Sequence, residues 1–390
     1  MKAIIYASNI RTGGAIGGAA NLLDTLPDFY ETTHMCWARE WYVYISDEIA
    51  SEMSRLDDLR DLGVSIVQRT DAADLRTLQR RRNAWADVRL VLRGPDYVGR
   101  MAKREILGFA DRSILTPVPQ HQPAARRIKA SARNALKRAL LPRYDAFLTQ
   151  TSNMAEELSA RVPGKPVWVF PNSPADIFRA QDVMPRIERT PALESGRRII
   201  RLFYPARGYP HKNHQIIPRV VEVLRSAYNV ELEVVCTLRS DELTSLGLHD
   251  APGIVPVGAL SRAECYDQYC KSDGVFFPSL NETSSVTPLE GMALGLPVFA
   301  SDLNFITEIS GNAPYYFDPR DPVSAAAVIS EYFANPYADL GRLRAGFEFV
   351  RGLPSRRETT RGHLAAMKSM STAEAINNSG IYLPLRQSRP

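Results

Sequence analysis

Cysteine is scarce in this sequence, and its four cysteines are not grouped as metal ligands. They are Cys36, Cys236, Cys265 and Cys270, which form no Cys-x-x-Cys pair and have no histidine cluster beside them. Disulfide scaffolds and structural zinc sites both depend on such grouping. The sequence therefore favours neither, and we expect a protein of a reducing compartment.

Long hydrophobic runs are also missing. No stretch approaches the ~18 uncharged apolar residues that a membrane-spanning helix needs. The apolar run at residues 3–7 is followed closely by Arg11, so it is too short for a signal peptide and is predicted to be a β-strand. We expect a cytoplasmic protein, with the inner face of the membrane as a second possible location.

The overall composition is that of a globular protein. The chain has 390 residues, of which 45% are hydrophobic and 23% are charged, and this excludes disorder, collagen and coiled coil. The length predicts two domains, because single cores stop growing near ~250–300 residues. The net charge of +5 permits an anionic partner without selecting one.

Short apolar strands alternate with helical stretches along both halves of the chain. This alternation predicts an α/β fold with two parallel sheets, each wound with helices on both faces. The polar segment 175–196 is predicted to be the linker. In the first half, strands are predicted at residues 2–7, 41–45, 64–68, 88–92, 113–116, 146–150 and 167–170. A glycine-rich turn at residues 12–18 is predicted to lead into a helix that begins near Ala19. In the second half, strands are predicted at residues 199–204, 230–236, 253–257, 274–278, 297–300 and 314–317.

The richest segment for chemistry runs from residue 279 to residue 297. Pro288 suits the first helical position and Thr287 is predicted to be its N-cap, so a helix start lies beside two carboxylates, Glu282 and Glu290. Unpaired N–H groups at a helix start favour a phosphate. The alternative is a capping box, in which Glu290 only satisfies the backbone N–H of Thr287.

These residues resemble a known signature. Glu282 and Glu290 stand eight positions apart, Gly-Met-Ala-x-Gly-x-Pro-Val follows, and Glu308 comes later. The pattern is similar to the Glu-x7-Glu motif of retaining GT-B glycosyltransferases of the family 4, or group 1, type, in a mannosyltransferase-like branch. The likeness covers residues 200–335 well. One departure is Thr-Ser-Ser at residues 283–285, where the family usually has Gly-Phe-Gly.

The resemblance implies a fold, a reaction and its partners. The fold would be GT-B, with two Rossmann-like domains facing across a cleft, at residues 1–180 and 181–364, and a segment at about 365–390 packing back on the first domain. The reaction would transfer a hexosyl unit with retention, from a nucleotide-diphosphate sugar such as GDP-mannose, to a saccharide or lipid-linked saccharide in surface polysaccharide synthesis. No cofactor and no metal are implied.

The resemblance also implies which residues form the site. Arg207 and Lys212 would neutralise the diphosphate, Glu282 would lie beside the donor sugar, and Glu290 would hold the ribose hydroxyls. His121, placed just after a predicted strand, would contact the donor sugar. The remaining substrate-binding candidates are Gly13, Gly14, Gly17, Gly18, Ser284, Ser285, Thr287 and Glu308. For several of them the alternative is purely structural: a tight turn for the glycines, a solvated loop for His121 and Lys212.

A basic stretch occupies residues 126–143. Its seven cations, with no acid among them, alternate with apolar residues at helical spacing, which is typical of a helix that contacts an anionic membrane surface. The alternatives are a solvated face packed on the domain's own core, or an acceptor-binding surface. No motif or aromatic pattern supports nucleic-acid binding.

Three other functions fit parts of the sequence. A nucleotide-sugar-binding homologue without activity would fit the departure at residues 283–285, and a sugar-nucleotide epimerase would share the GT-B fold. A nicotinamide oxidoreductase fits poorly, because the glycines at 13–18 do not keep Gly-x-Gly-x-x-Gly spacing.

Overall fold

The chain divides into two compact units in this computed structural model. The structure describes residues 1–11, 14–30, 32, 34–69, 85–115, 124–179 and 199–372. Residues 1–171 together with 355–372 form unit 1, and residues 172–354 form unit 2. Each unit is built on one parallel sheet.

Unit 1 contains seven described strands and six described helices. The strands are β1 (Lys2–Tyr6), β2 (Glu40–Ser46), β3 (Ser65–Arg69), β4 (Ala86–Val91), β5 (Ala102–Gly108), β6 (Ala146–Thr149) and β7 (Val167–Val169). The helices are α1 (Gly14–Asp24), α2 (Asp47–Glu52), α3 (Leu56–Asp61), α4 (Ala124–Leu140), α5 (Ser152–Ser159) and, from the end of the described chain, α14 (Arg356–Thr372).

The unit 1 sheet is buried on both faces. Its strand order is β3-β2-β1-β4-β5-β6-β7, and every neighbouring pair is parallel. Successive side chains of a strand point to opposite faces, so Ile4 and Ile5 enter two different hydrophobic clusters. Helix α14 completes one of them with Leu364 and Met367. This explains why β1, β2, β6 and β7 are mainly apolar runs.

Strand β5 corrects the sequence prediction. A strand was expected at residues 113–116, but residues 112–114 form a 3-10 turn and the strand lies at Ala102–Gly108. Charged residues at 103–105 conceal it in the sequence. Glu105 is nonetheless buried, because its carboxylate accepts a hydrogen bond from Arg89 Nε at 2.7 Å on the neighbouring strand β4.

Helix α1 corrects a second prediction. The helix was expected to begin at Ala19 after a glycine turn, but it begins at Gly14. Gly14, Gly17 and Gly18 therefore lie within the helix. Glycine is a poor helix former, yet the packing of Ala19, Ala20 and Leu23 in the core outweighs that preference.

Unit 2 follows the sequence prediction closely. Its strands are β8 (Ile199–Tyr204), β9 (Glu231–Cys236), β10 (Ile254–Pro256), β11 (Gly274–Phe277), β12 (Val298–Ser301) and β13 (Tyr315–Phe317). Its helices are α6 (Asp176–Arg179), α7 (Ile217–Tyr228), α8 (Ser240–Leu246), α9 (Arg262–Cys270), α10 (Thr287–Ala293), α11 (Asn304–Ser310), α12 (Pro322–Ala334) and α13 (Leu340–Arg351).

The unit 2 sheet has the order β10-β9-β8-β11-β12-β13, again with every pair parallel. The first strand, β8, matches its predicted bounds, and the other predicted strands are found within one or two residues. One hydrophobic cluster joins the sheet to its helices. Among the described helices, none is long and apolar enough to cross a membrane.

Close packing of α10 on the sheet gives a test of the fold. A Cβ atom at Gly291 would lie 2.6 Å from Val275 Cγ2 of β11 and 3.0 Å from Val298 Cγ2 of β12, so only glycine fits. We expect Gly291→Ala to lower the free energy of unfolding by about 1–3 kcal/mol, as overpacked cores do. Chemical denaturation measures this loss.

Gly18→Ala is the matched control, because a Cβ atom there meets nothing within 4 Å inside α1. We expect it to raise stability by up to about 1 kcal/mol through helix propensity. Equal effects of the two substitutions would contradict the close packing of α10.

Candidate active site

The strand order of unit 2 marks where a ligand is expected. The order reverses between β8 and β11, which are neighbours in the sheet although two strands and several helices separate them in the chain. Ligands of open α/β sheets bind at such a switch point, outside the carboxyl ends of the strands. The loop after β8 carries Arg207 and Lys212, and the loop after β11 carries Glu282. A backbone hydrogen bond from Leu280 N to His211 O, at 2.8 Å, ties the two loops together.

Lys212 and Glu282 form an ion pair at this switch point. Lys212 Nζ lies 2.5 Å from Glu282 Oε1, and the two side chains are 16% and 15% exposed. The ammonium also lies 5.9 Å from the centroid of the Phe277 ring. The tertiary structure thus brings together two site residues that are 70 positions apart in the sequence.

Buried hydroxyl groups support the pair. The Tyr204 hydroxyl, at the end of β8, donates to the Lys212 carbonyl at 2.8 Å and lies 3.0 Å from Ser279 Oγ. Ser279 Oγ donates to Glu282 Oε1 at 3.1 Å. Burial holds the pKa of Tyr204 well above its usual range, so the phenol stays protonated. Sequence reasoning missed both residues; their positions at strand ends were the available signal.

Histidine 211 stands beside the pair. Its Nε2 lies 4.0 Å from Glu282 Oε1, and its ring stacks on Tyr209 at 5.7 Å. The sequence places no carboxylate near this histidine, and the fold supplies one. Burial lowers the pKa of His211 despite the nearby carboxylate, and Lys212 lowers it further, so the ring is neutral at pH 7.

Asn213 and His214 shape the same loop. Asn213 has a left-handed backbone, with φ of 58°, and its Nδ2 donates to Pro278 O at 3.1 Å and Pro319 O at 2.8 Å. Its side chain makes no cap for the following helical turn. His214 is buried against Tyr204, and burial lowers its pKa to about 4.

Arg207 is held by a carboxylate that the sequence did not indicate. Glu242 Oε1, on α8, accepts hydrogen bonds from Arg207 Nε at 2.7 Å and from Gly208 N at 3.0 Å, while Oε2 accepts from Arg239 N at 3.0 Å. Burial acts to raise the pKa of Glu242, but these donors outweigh it and the net shift is downward. Each predicted diphosphate-binding cation is therefore paired with its own carboxylate.

Glu290 has a buried tyrosine as its partner. The hydroxyl of Tyr269, on α9, donates to Glu290 Oε2 at 2.8 Å. Tyr269 is completely buried against the rings of Phe178 and Phe203. Sequence reasoning missed Tyr269, because nothing in the chain connects residue 269 with residue 290. This phenol anchors the carboxylate, and Glu290 as a whole is half-buried.

The predicted cap of α10 was wrong by one residue. Glu290 N donates to Val286 O at 2.8 Å, so the helix begins at Thr287 and its N-cap is Val286, with no side-chain cap. Thr287 is instead a buried first residue of the helix, and Pro288 occupies the second position. The extra backbone hydrogen bond extends the helix by one residue towards its N-terminus.

The loop before α10 is tied to the start of unit 2. Asn172 Nδ2 donates to both the carbonyl and the hydroxyl oxygen of Ser284, at 3.2 Å each. Ser285 is half-buried, and so is Glu308 on α11, the helix that follows the next strand of the sheet. Asn172 is another residue that the sequence did not single out.

The remaining candidates come from the first half of the sequence. Gly14, Gly17 and Gly18 lie in α1 of unit 1, and Gly13 and His121 lie outside the described residues. The strand that was expected to position His121 is the one that the structure places at 102–108 instead. In the described part of the chain, no three His, Cys, Asp or Glu side chains are grouped to hold a metal ion.

Comparison with known proteins identifies a family that part of this chain matches. Residues 200–335 match the model of a family described as glycosyl transferases group 1. A curated relative, the O-antigen chain mannosyltransferase RfbU of Salmonella typhimurium, is 29% identical over 126 residues, which are 31% of this chain. The matched segment spans about a third of that relative, 35% of its length.

Solved structures resemble the whole chain. A glycosyltransferase from Rickettsia africae has a TM-score of 0.64 at 13% identity, with 95% of this chain and 98% of the other covered. HepE of Anabaena, in complex with UDP and glucose, has a TM-score of 0.62 at 13% identity, with 95% and 100% covered. Sucrose-phosphate synthase of Thermosynechococcus elongatus has a TM-score of 0.62 at 14% identity, with 95% and 99% covered.

The fold expected from the sequence is confirmed by these neighbours. The chain has the GT-B fold, and residues 200–335, which include the switch-point cluster, carry its match to the group 1 glycosyltransferases.

Proposed function

We propose that this protein is a retaining glycosyltransferase that moves a mannosyl unit from GDP-mannose to a saccharide acceptor in surface polysaccharide synthesis. The observation that carries the proposal is the Lys212–Glu282 pair at the β8–β11 switch point, inside the segment that matches the group 1 family. The mannosyl assignment is supported by the similarity to RfbU and by the sequence pattern of residues 282–321.

The chemistry needs charge stabilisation more than proton transfer. Cleavage of the sugar–phosphate bond leaves negative charge on the nucleoside diphosphate and positive character on the sugar. Preorganised donors aimed at developing charge are usually the largest catalytic contribution. Lys212 and Arg207 would neutralise the charge of the diphosphate. Tyr204 already fixes the backbone of Lys212, and Glu242 already fixes the side chain of Arg207.

The carboxylates take separate tasks in this proposal. Glu282 would lie beside the donor sugar, where a negative charge favours positive character at the anomeric carbon. Glu290 would accept hydrogen bonds from the ribose hydroxyls, with one of its oxygens already bonded to Tyr269. Ser284 and Ser285 would offer backbone N–H groups to the phosphates, in a loop that Asn172 holds in place. Thr287 and Glu308 would complete the donor pocket.

Unit 1 would supply the acceptor side. The glycines at 13–18 and His121 remain candidates for contacts with the acceptor or the donor sugar. The proposal places the protein in the cytoplasm, at the inner face of a membrane where a lipid-linked acceptor would lie. The basic segment 126–143 supports this location at the membrane.

The nucleotide is tested by thermal unfolding with a panel of ligands. A ligand at 100 times its Kd adds about 2.7 kcal/mol to the native state. We expect GDP and GDP-mannose to raise the unfolding temperature more than UDP and UDP-glucose do. Stabilisation by the uridine ligands alone would overturn the guanine assignment and would favour a uridine nucleotide sugar, such as the UDP-glucose bound by HepE.

Glu290→Gln tests the proposed ribose contact. Hydrogen bonds to charged groups contribute about 1.5–3 kcal/mol, so we expect donor affinity to fall by roughly tenfold to a hundredfold in isothermal titration calorimetry. Tyr269→Phe should weaken donor affinity in the same direction, by less, because it removes only the group that orients the carboxylate.

Glu264→Gln is the control for these two variants. Glu264 belongs to the capping box of α9, where its carboxylate accepts from Ser261 N at 2.7 Å. We expect that variant to lose only stability. Unchanged donor affinity in Glu290→Gln would mean that the carboxylate serves the fold alone.

Arg207→Ala combined with Lys212→Ala tests the diphosphate site. Losing one preorganised donor costs roughly 10²–10³ in turnover where charge develops, so the double variant should lose at least that much in kcat. Arg225→Ala removes a cation of the exposed Arg225–Glu231 pair on the same unit and should leave kcat unchanged. Near-normal transfer by the double variant would show that the diphosphate is held elsewhere. Donor binding without any turnover in the parent protein would favour the inactive homologue.

A further inference from the structure

Helix α4 is attached to unit 1 by its polar side. Asn134 Nδ2 donates to Ser113 O at 2.7 Å, Lys137 Nζ lies 3.0 Å from Asp111 Oδ2, and Arg138 donates to Ile114 O at 2.8 Å. Asn134 is buried. A surface helix ordinarily turns its apolar stripe towards the core and its charges towards water. Helix α4 does the reverse at these three positions.

The opposite side of α4 is apolar and exposed. Ile128 is 70% exposed and Leu136 is 54% exposed, among the highest values for large hydrophobic residues in the described chain. Between and beyond them on the same face lie three exposed alanines, Ala132, Ala135 and Ala139. Spacings of 4, 7, 8 and 11 residues from Ile128 place all five in one stripe along the helix. We refer to these five residues as the α4 stripe.

Cations border the α4 stripe. Lys129 and Arg133 are exposed along one edge of it, and α4 contains no Asp or Glu. In the sequence the cations of residues 126–143 form one group, but the structure divides them into two sets. Lys137 and Arg138 bond to the body of unit 1, and Arg143 bonds to Asp96 and Tyr144. The cations that remain for a partner lie towards the N-terminal half of the helix.

We propose that the α4 stripe docks on the surface of an anionic lipid bilayer, with the helix axis in the plane of the membrane. Ile128 and Leu136 enter the boundary between headgroups and acyl chains, and the bordering cations contact headgroup phosphates. An apolar stripe flanked by Lys and Arg is the arrangement that interfacial helices use. This deepens the membrane location in the proposed function and is independent of the transfer chemistry.

A bilayer fits the stripe better than a second copy of the chain does. Two α4 helices brought face to face would place their bordering cations side by side without any acid on either helix to compensate. An anionic surface instead satisfies both the charge and the apolar area.

The test measures binding of the full chain to lipid vesicles by sedimentation. One set of vesicles is phosphatidylcholine, and the other is phosphatidylcholine mixed with phosphatidylglycerol. We expect binding to the mixed vesicles to be much stronger and to weaken as salt rises, since the Debye length is about 10 Å at 0.1 M and shorter above it.

Two double variants separate the contribution of the cations to vesicle binding from that of the apolar side chains. Lys129→Gln with Arg133→Gln should lower the partition coefficient on mixed vesicles by about 25-fold, since each cation near the surface contributes about fivefold. Ile128→Gln with Leu136→Gln should lower it by about tenfold or more, because two large apolar groups no longer leave water. Glutamine keeps good helix propensity, and circular dichroism with thermal unfolding checks that both variants are folded.

Matched controls come from exposed positions of unit 2. Val323 on α12 is 55% exposed, and Arg219 and Lys271 are exposed cations. Val323→Gln, and Arg219→Gln with Lys271→Gln, should leave vesicle binding unchanged.

Two outcomes would overturn the proposal. The first is equal binding to both kinds of vesicle, or unchanged binding by both α4 double variants. The second is absence of vesicle binding. A dimer that Ile128→Gln with Leu136→Gln converts to a monomer would then identify a second copy as the partner. Loss of nucleotide-dependent thermal stabilisation would count against the proposed transfer reaction and not against docking.

Discussion

The candidate site of this protein depends on the pairing of β8 with β11. These parallel strands are in register, with Leu202 opposite Gly274 and Phe203 opposite Val275, so their carboxyl ends finish side by side. The two loops that leave this edge carry Lys212 and Glu282. The close approach of α10 to β11 at Gly291 sets the position of Glu290 in turn. If this strand pair were lost, the charged groups would share no common surface.

Buried partners give the site its rigidity. Tyr204 and Ser279 hold the backbone and side chain of the Lys212–Glu282 pair, Glu242 holds Arg207, and Tyr269 holds Glu290. Each partner uses a hydroxyl or a carboxylate that burial alone would penalise, and each is satisfied by hydrogen bonds. The cations and carboxylates are therefore presented to a ligand in fixed positions, which suits a reaction that relies on preorganised charge.

Charge is also organised in unit 1, but for two different purposes. Arg89, Glu105 and Asp96 form a buried ionic cluster between β4 and β5, where burial raises the pKa of Glu105 and the guanidinium opposes that rise. In α4, by contrast, charges on one side anchor the helix and charges on the other border an exposed apolar stripe. Both arrangements are exceptions to the rule that apolar residues lie inside and charged residues outside. The buried ionic cluster joins β4 to β5. Helix α4 leaves its apolar stripe exposed for the partner that we propose.

The sequence determined the fold class, most of the strands and the two glutamates, because these follow from local patterns: apolar runs, alternation with helices, and a motif whose residues lie within one segment. Prediction was weakest where the structural role of a residue depends on another residue that is distant in the sequence. Strand β5 was missed because its Glu105 is charged in the sequence and neutralised only by Arg89 on another strand. The start of α1 was missed because core packing outweighs the low helix propensity of its glycines. The partners Tyr204, Glu242 and Tyr269, and the direction that each face of α4 points, were decided by the tertiary structure alone, since they depend on which strands and helices become neighbours.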